Sequence, residues 1–310
     1  MSTVANPTYE GLDDDAGIAT IRHAIDVGIN FFDTAPGYGD GASEIQLGKA
    51  LHGIPRDRVV IANKINTPTL CADDVYAECE KSLERLQTDY MDLYQIHWPK
   101  NVVPIDETLS AMEDLVKQGK VRVLGVCNFG VEDLAAAMEI SDLATNQIAY
   151  SLLARAAEYE VRDLCVQHGA GILCYSPVAQ GLLTGRFSHA DEVPEERART
   201  RMFSKDRPQS RHDEPGCEAE AFEAIAGISR VCQRLDVSMS DVALAWLLHQ
   251  PGVSAVLAGS SRKSQVEQNA AAADIELSAA DLAELDELTR PVKEMLGPNL
   301  DMWVTESRIR

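Results

Sequence analysis

The run Ile29-Asn30-Phe31-Phe32-Asp33-Thr34-Ala35-Pro36-Gly37-Tyr38-Gly39 decides how the rest of the chain is read. A short apolar segment ends in a carboxylate and runs into proline and glycine, the residues that stop a strand. The same pattern returns as Val59-Val60-Ile61-Ala62-Asn63-Lys64, ending in an ammonium. It returns again as Leu93-Tyr94-Gln95-Ile96-His97, closed by Trp98-Pro99. Helix-period segments lie between. Residues 43–51 form one, with Ser43 as its expected cap. Residues 72–86 form the next, with Tyr76, Cys79, Leu83 and Leu86 as its apolar stripe.

Outward from this core the alternation continues. Residues 14–27 read as a helix with Ile18, Ile21 and Ile25 on one face, ended by Gly28. Strands are expected from near residues 29, 59, 91, 121, 147, 171 and 254. Helices are expected over 108–118, 131–140, 160–168, 218–235, 240–249, 264–273 and 278–289. Strands separated by helices imply parallel pairing through helical crossovers. A polar stretch over 188–215, rich in Arg, Asp, Glu and Pro, reads as a long loop, of the kind that is either a lid or disordered. No linker or second composition regime is visible, so the chain reads as one domain over 1–310. The class is α/β, and an eight-stranded (β/α)8 TIM barrel needs eight such units. Seven strands are counted, one short at the N-terminus.

Composition narrows the function. The chain has 310 residues and a formal net charge of −21, from 49 acidic and 28 basic residues. Duplex nucleic acid needs a basic face, so that partner class is not expected. The seven cysteines, Cys71, Cys79, Cys127, Cys165, Cys174, Cys217 and Cys232, contain no Cys-x-x-Cys pair and suggest no zinc site. Free thiols suit a reducing cytosol, which makes the expected location cytoplasmic. No apolar stretch is long enough to span a membrane, and no signal peptide opens the chain.

The residues that end the first three strands make up a chemistry. Asp33, Tyr38, Lys64 and His97 combine a carboxylate, a phenol, an ammonium and an imidazole. Together they suit protonation of a carbonyl oxygen while a hydride reaches its carbon. A phenol titrates near ~10 in water and is a poor acid at neutral pH. A cation at Lys64 would favour the phenolate and make the Tyr38 proton easier to give. Asp33 would hold Lys64 in place and keep it charged. A neutral His97 could orient the carbonyl by donating to its oxygen. Each residue taken alone has a plainer reading, as a turn former, a surface charge or a core imidazole. Strand-end positions place all four on one rim, where barrel active sites lie.

One competing motif is present. Gly37-Tyr38-Gly39-Asp40-Gly41-Ala42 matches the G-x-G-x-x-G/A dinucleotide fingerprint. That reading needs an acidic residue ending the next strand, and Lys64 stands there.

The run Phe31-Phe32-Asp33-Thr34-Ala35-x-x-Tyr38-Gly39 resembles the aldo-keto reductase superfamily. So do Lys64 after its apolar strand, Gln95-Ile96-His97, Gly125-Val126-x-Asn128-Phe129 and Tyr175-Ser176-Pro177. Gly181-Leu182-Leu183-Thr184-Gly185 and the segment over 259–269 complete the set, in the family's order. The branch resembles bacterial reductases related to potassium-channel β subunits. The resemblance implies a (β/α)8 barrel, an NADP(H) cofactor across its C-terminal face, and Asp33, Tyr38, Lys64 and His97 as the catalytic tetrad. It implies Asn128 and Gln147 on the nicotinamide carboxamide and Tyr175 stacked on the ring. Ser176, Val178, Gly181, Gly185 and Arg186 would meet the pyrophosphate. Gly259, Ser260, Ser261 and Arg262 precede a helix whose backbone N–H groups suit a phosphate, Arg262 would pair the 2′-phosphate, and Gln265, Gln268 and Asn269 would lie toward the adenosine. Trp98 and the 188–215 loop would shape the pocket for a small carbonyl or alcohol substrate. The departures are the family's first strand with its Gly-x-Gly run, expected to be missing here, Cys127 where Ser is usual, and Asn63 where Thr is common. The expected function is reversible reduction of an aldehyde or ketone. The alternative is a nucleotide-binding regulatory or redox-sensing subunit with little turnover.

Overall fold

The computed structural model describes residues 14–100 and 102–310. The expected missing first strand concerns residues before these and lies outside the described residues. The chain divides into two compact units, Met1–Gln147 with Gly259–Ala270, and Ile148–Ala258 with Ala271–Arg310.

In the first unit, strands and helices alternate as α1 (Asp14–Asp26), β1 (Phe31–Asp33), α2 (Ala42–Leu51), β2 (Val60–Ile65), α3 (Ala72–Leu86), β3 (Met91–Ile96), α4 (Ile105–Lys117), β4 (Val121–Cys127), α5 (Val131–Met138) and β5 (Leu143–Ala149). The strands pair parallel in chain order, β1 with β2, β2 with β3, β3 with β4 and β4 with β5. Every residue of β3 is buried. That burial explains its near-continuous apolar run, the mark of a parallel strand covered on both faces. Helix α3 carries its apolar stripe, Val75, Cys79, Leu83 and Leu86, on one side.

In the second unit, α6 (Val161–His168), β6 (Gly171–Tyr175), α7 (Glu218–Leu235), α8 (Met239–Leu248), β7 (Val253–Val256) and α10 (Ala279–Leu296) form the frame. β6 and β7 pair parallel, again in chain order. Helix α9 (Lys263–Ala271) belongs almost wholly to the first unit.

Several local expectations differ from the structure. Ser43 does not cap α2: Gly41, in a left-handed conformation at φ 84°, holds that position without a side-chain bond. Ser43 is buried and pairs its hydroxyl with Thr34 at 2.8 Å. Tyr76 leaves the α3 stripe to Val75 and sends its hydroxyl to Asp114. β5 starts at Leu143 rather than near 147, because Thr145 and Asn146 break the apolar signal. Both are genuine strand residues whose side chains bond Gln95 and Phe129. α4 starts at Ile105 and α10 continues through Pro291 to Leu296.

The 188–215 loop is packed down. Val193, Ala198, Met202 and Phe203 are buried. Arg201 ties it to the end of α10, donating to the carbonyls of Leu296 and Asn299 and pairing with Glu214 at 2.6 Å.

Candidate active site

The first unit places its polar strand ends on one edge. Asp33 ends β1, Lys64 is the penultimate residue of β2, His97 follows β3, Asn128 follows β4, and Gln147 lies near the end of β5. Parallel strands in chain order put all C-terminal ends on the same side, so this edge collects chemistry from five separate segments.

Lys64 is fully buried, and Asp33 is 4% exposed. Lys64 Nζ donates to Asp33 Oδ2 at 2.7 Å and to the Thr34 carbonyl at 2.9 Å. The ammonium also lies 4.8 Å from the centre of the Tyr38 ring. Tyr38 meets His97 edge to face, with ring centres 5.8 Å apart. Tyr38 sits in the turn after β1, where its N–H bonds the Ala35 carbonyl. The four residues expected from sequence are therefore brought together.

The electrostatics follow from burial and neighbours. Burial is the largest single influence and pulls the Lys64 ammonium down, but the charge and hydrogen bond of Asp33 and the other neighbours together outweigh it, so Lys64 stays charged. Burial raises the Tyr38 phenol, and the Lys64 charge opposes that shift. The expectation that Lys64 makes the phenol more acidic holds for its own contribution; desolvation wins overall. Tyr38 is thus protonated at neutral pH. Burial, with the charges of Lys64 and Lys100, lowers His97 to about 3, so its imidazole is neutral. Among the described residues, buried His97 Nδ1 has no hydrogen-bond partner. Burial pushes the Cys127 thiol up, which makes it an unreactive neighbour.

Gln147 has a role the sequence did not suggest. Its carboxamide nitrogen donates to Asp33 Oδ1 at 2.7 Å, so Asp33 is held from both sides. Asn128 adopts a left-handed backbone at φ 59°, which Asn tolerates better than most residues. Its side chain donates to the His97 carbonyl at 3.1 Å. Lys100 was also missed; its ammonium donates to the Thr67 carbonyl. Trp98 is half-buried directly after His97.

The remaining expected residues fall in two groups. In the first unit, Gly259, Ser260, Ser261 and Arg262 lead into α9. Gln265 folds back onto the Ser261 N–H at 2.9 Å, and Asn269 donates to Ser260 Oγ at 2.9 Å. These two side chains therefore shape the loop. Gln268, Arg262 and Lys263 are exposed. In the second unit, Tyr175 ends β6 and is half-buried. After it, Ser176, Ala179, Gln180 and Gly181 take positive φ, which curls the backbone into a tight turn. Val178 lies in that turn, Gly185 closes it in a left-handed conformation, and Arg186 is exposed beside it. Helix α9 offers its N-terminus and two cations to a phosphate, and Asn128 and Gln147 offer carboxamide groups.

Comparison with known proteins agrees. The profile of the Aldo/keto reductase family matches residues 3–290. The NADH-specific methylglyoxal reductase of Escherichia coli (strain K12) is 32% identical over 310 residues, covering 93% of this chain and 92% of its own. A Klebsiella pneumoniae aldo-keto reductase solved with NADPH is 33% identical, with a TM-score of 0.75 over 93% of this chain and 89% of its own. The glycerol dehydrogenase of Gluconobacter oxydans is 28% identical, with a TM-score of 0.81 over 96% of this chain and 92% of its own. The fold class expected from the alternating pattern is that of these barrels, with seven strands among the described residues. No helix among the described residues is long and apolar enough to cross a membrane.

Proposed function

Because this chain belongs to the aldo/keto reductase family of nicotinamide-dependent oxidoreductases, we propose that it reduces an aldehyde or ketone to an alcohol with NADPH. Tyr38 is the general acid, the reaction is reversible, and residues 1–310 act as a single barrel domain. The observation that carries this reading is the buried Lys64 ammonium, 2.7 Å from Asp33 and 4.8 Å from the Tyr38 ring.

NADPH, once bound, would supply a hydride to the carbonyl carbon. The chain's own residues do the rest. Neutral His97 donates through Nε2 to the carbonyl oxygen and sets its direction. Protonated Tyr38 gives its hydroxyl proton to that oxygen as negative charge develops. Lys64 stabilises the phenolate that remains, and Asp33 keeps Lys64 charged. Gln147, which also holds Asp33, and Asn128, beside His97, would offer their carboxamides to the nicotinamide amide. Tyr175 supplies a ring for stacking. Ser176, Val178, Gly181 and Gly185 would present backbone groups to the pyrophosphate, with Arg186 nearby. Gly259, Ser260 and Ser261 would present their N–H groups to a phosphate, Arg262 would pair the 2′-phosphate, and Gln265, Gln268 and Asn269 would lie toward the adenosine. Trp98 and the 188–215 loop bound the substrate. The Escherichia coli relative makes methylglyoxal, a short 2-oxoaldehyde, the first substrate to try.

The test is a titration with NADPH and NADH followed by tryptophan fluorescence, then an aldehyde and ketone panel. Turnover that falls by about 10²-fold or more in Tyr38→Phe, with cofactor binding kept, is the expected result. A wild-type chain that binds NADPH but reduces no carbonyl overturns it in favour of the sensor reading.

A further inference from the structure

Behind the strand ends, the structure holds a second buried polar network. Parallel ladder geometry sets its starting point. β1 pairs with β2 as far as Asp33 opposite Ala62, and the Thr34 N–H bonds the Ala62 carbonyl. The next rung would join the Lys64 N–H to the Thr34 carbonyl. That rung is exchanged. The Thr34 carbonyl instead accepts from Lys64 Nζ at 2.9 Å. The displaced Lys64 N–H is taken by the side chain of Asn63, whose Oδ1 accepts it at 2.9 Å.

Asn63 is itself held. Its Nδ2 donates to Glu44 Oε1 at 2.7 Å. Glu44 is fully buried, and its other oxygen pairs with Arg85 at 2.6 Å. Arg85 also pairs with Glu78 at 3.1 Å. The Arg85 side chain lies across Gly41, where an added Cβ would meet its Cδ at 2.9 Å. Gly41 closes the turn that carries Tyr38, its N–H bonding the Pro36 carbonyl at 2.8 Å. One network therefore reaches both the Lys64 strand end and the Tyr38 turn.

We infer that Asn63 and Glu44 are positioning residues that release the Thr34 carbonyl to the Lys64 ammonium and so fix that ammonium against Tyr38. The inference rests on the reductase reading above and deepens it. Neither residue touches the reacting atoms. Their effect passes through where Lys64 sits.

The two side chains form a donor–acceptor pair that can be reversed. Asn63→Asp keeps an acceptor for the Lys64 N–H but sets a carboxylate against Glu44. Glu44→Gln turns one of its two acceptors into a donor, against either Asn63 Nδ2 or Arg85. The double variant restores complementarity: the new amide at position 44 donates to the new carboxylate at position 63 and still accepts from Arg85.

The experiment measures kcat against pH for reduction, with the NADPH Kd, in wild type, both single variants and the double. A displaced Lys64 makes Tyr38 a weaker acid, so the plateau falls and the high-pH limb moves up. Each single variant is expected to lose about tenfold or more in kcat, with the limb raised by roughly one pH unit. The Kd stays within about twofold, and the double variant recovers both plateau and limb. A fallen plateau with an unmoved limb overturns the inference, as does a double variant no better than the worse single. If Asn63→Asp does not fold, Glu44→Gln against the double carries the comparison. Wild type without turnover overturns the reductase reading instead. The Tyr38 phenol, titrated by ultraviolet difference absorbance against Tyr38→Phe, then reports the same displacement without a substrate.

Discussion

Gln147 and Asp33, 114 residues apart in sequence, are joined by a 2.7 Å hydrogen bond from carboxamide to carboxylate. The other Asp33 oxygen holds Lys64 at the same distance. The carboxylate is therefore fixed in plane by a neutral donor on one side and a cation on the other. Gln147→Leu removes the neutral donor and leaves a buried lone pair unmet. It is expected to lower kcat by about tenfold or more, since Asp33 can then rotate and carry Lys64 with it. Steady-state kinetics with an NADPH titration check this; an unchanged kcat counts against it.

His97 ties the site to pH. Its folded value of about 3 lies below the ordinary histidine value of 6.5. Between these values the unfolded chain binds a proton that the folded chain refuses, so stability falls as pH drops through that window. The slope from this one group approaches about 1.4 kcal/mol per pH unit. Buried His212, also lowered by desolvation, adds in the same direction. Denaturant unfolding from pH 7 down to pH 4 should show a shallower decline in His97→Gln than in wild type. Parallel declines would mean that His97 takes up its proton in the folded chain as readily as in the unfolded one.

On the proposed reading, the start of α9 sets the choice of cofactor. Arg262 and Lys263 are both exposed there, beside the helix N-terminus. Arg262→Leu is expected to weaken NADPH by about tenfold through loss of a charge-assisted bond, and to leave NADH nearly unchanged. Equal losses for both nucleotides would place Arg262 away from the 2′-phosphate.

Gly48 tests the packing that supports the Tyr38 turn. A Cβ there would meet the Leu86 carbonyl oxygen at 2.7 Å and that of Arg85 at 2.8 Å, where α2 crosses the end of α3. Backbone cannot step aside as a side chain can. Gly48→Ala should cost about 1–3 kcal/mol, read as a lowered denaturant midpoint with an unchanged slope. A midpoint equal to wild type would show that the two helices separate freely.

The chain alone determined a good deal here. Short apolar runs ending in Asp33, Lys64 and His97 announced both the strands and the rim, because a strand's last residue and its stop signals are local. The resemblance extended that reading to the cofactor segments. Tertiary structure decided what local pattern cannot hold. Strand β5 hid its start behind Thr145 and Asn146, whose polarity makes sense only once Gln95 and the Phe129 carbonyl lie beside them. The bond from Gln147 to Asp33 depends on the curvature of five strands. The exchanged rung at Thr34 depends on where β1 stops against β2, so Asn63 reads in sequence as a small departure and in the fold as the group that frees a carbonyl for Lys64. Periodicity and stop signals are written residue by residue; which buried donor meets which acceptor is settled only when distant segments share one dry space.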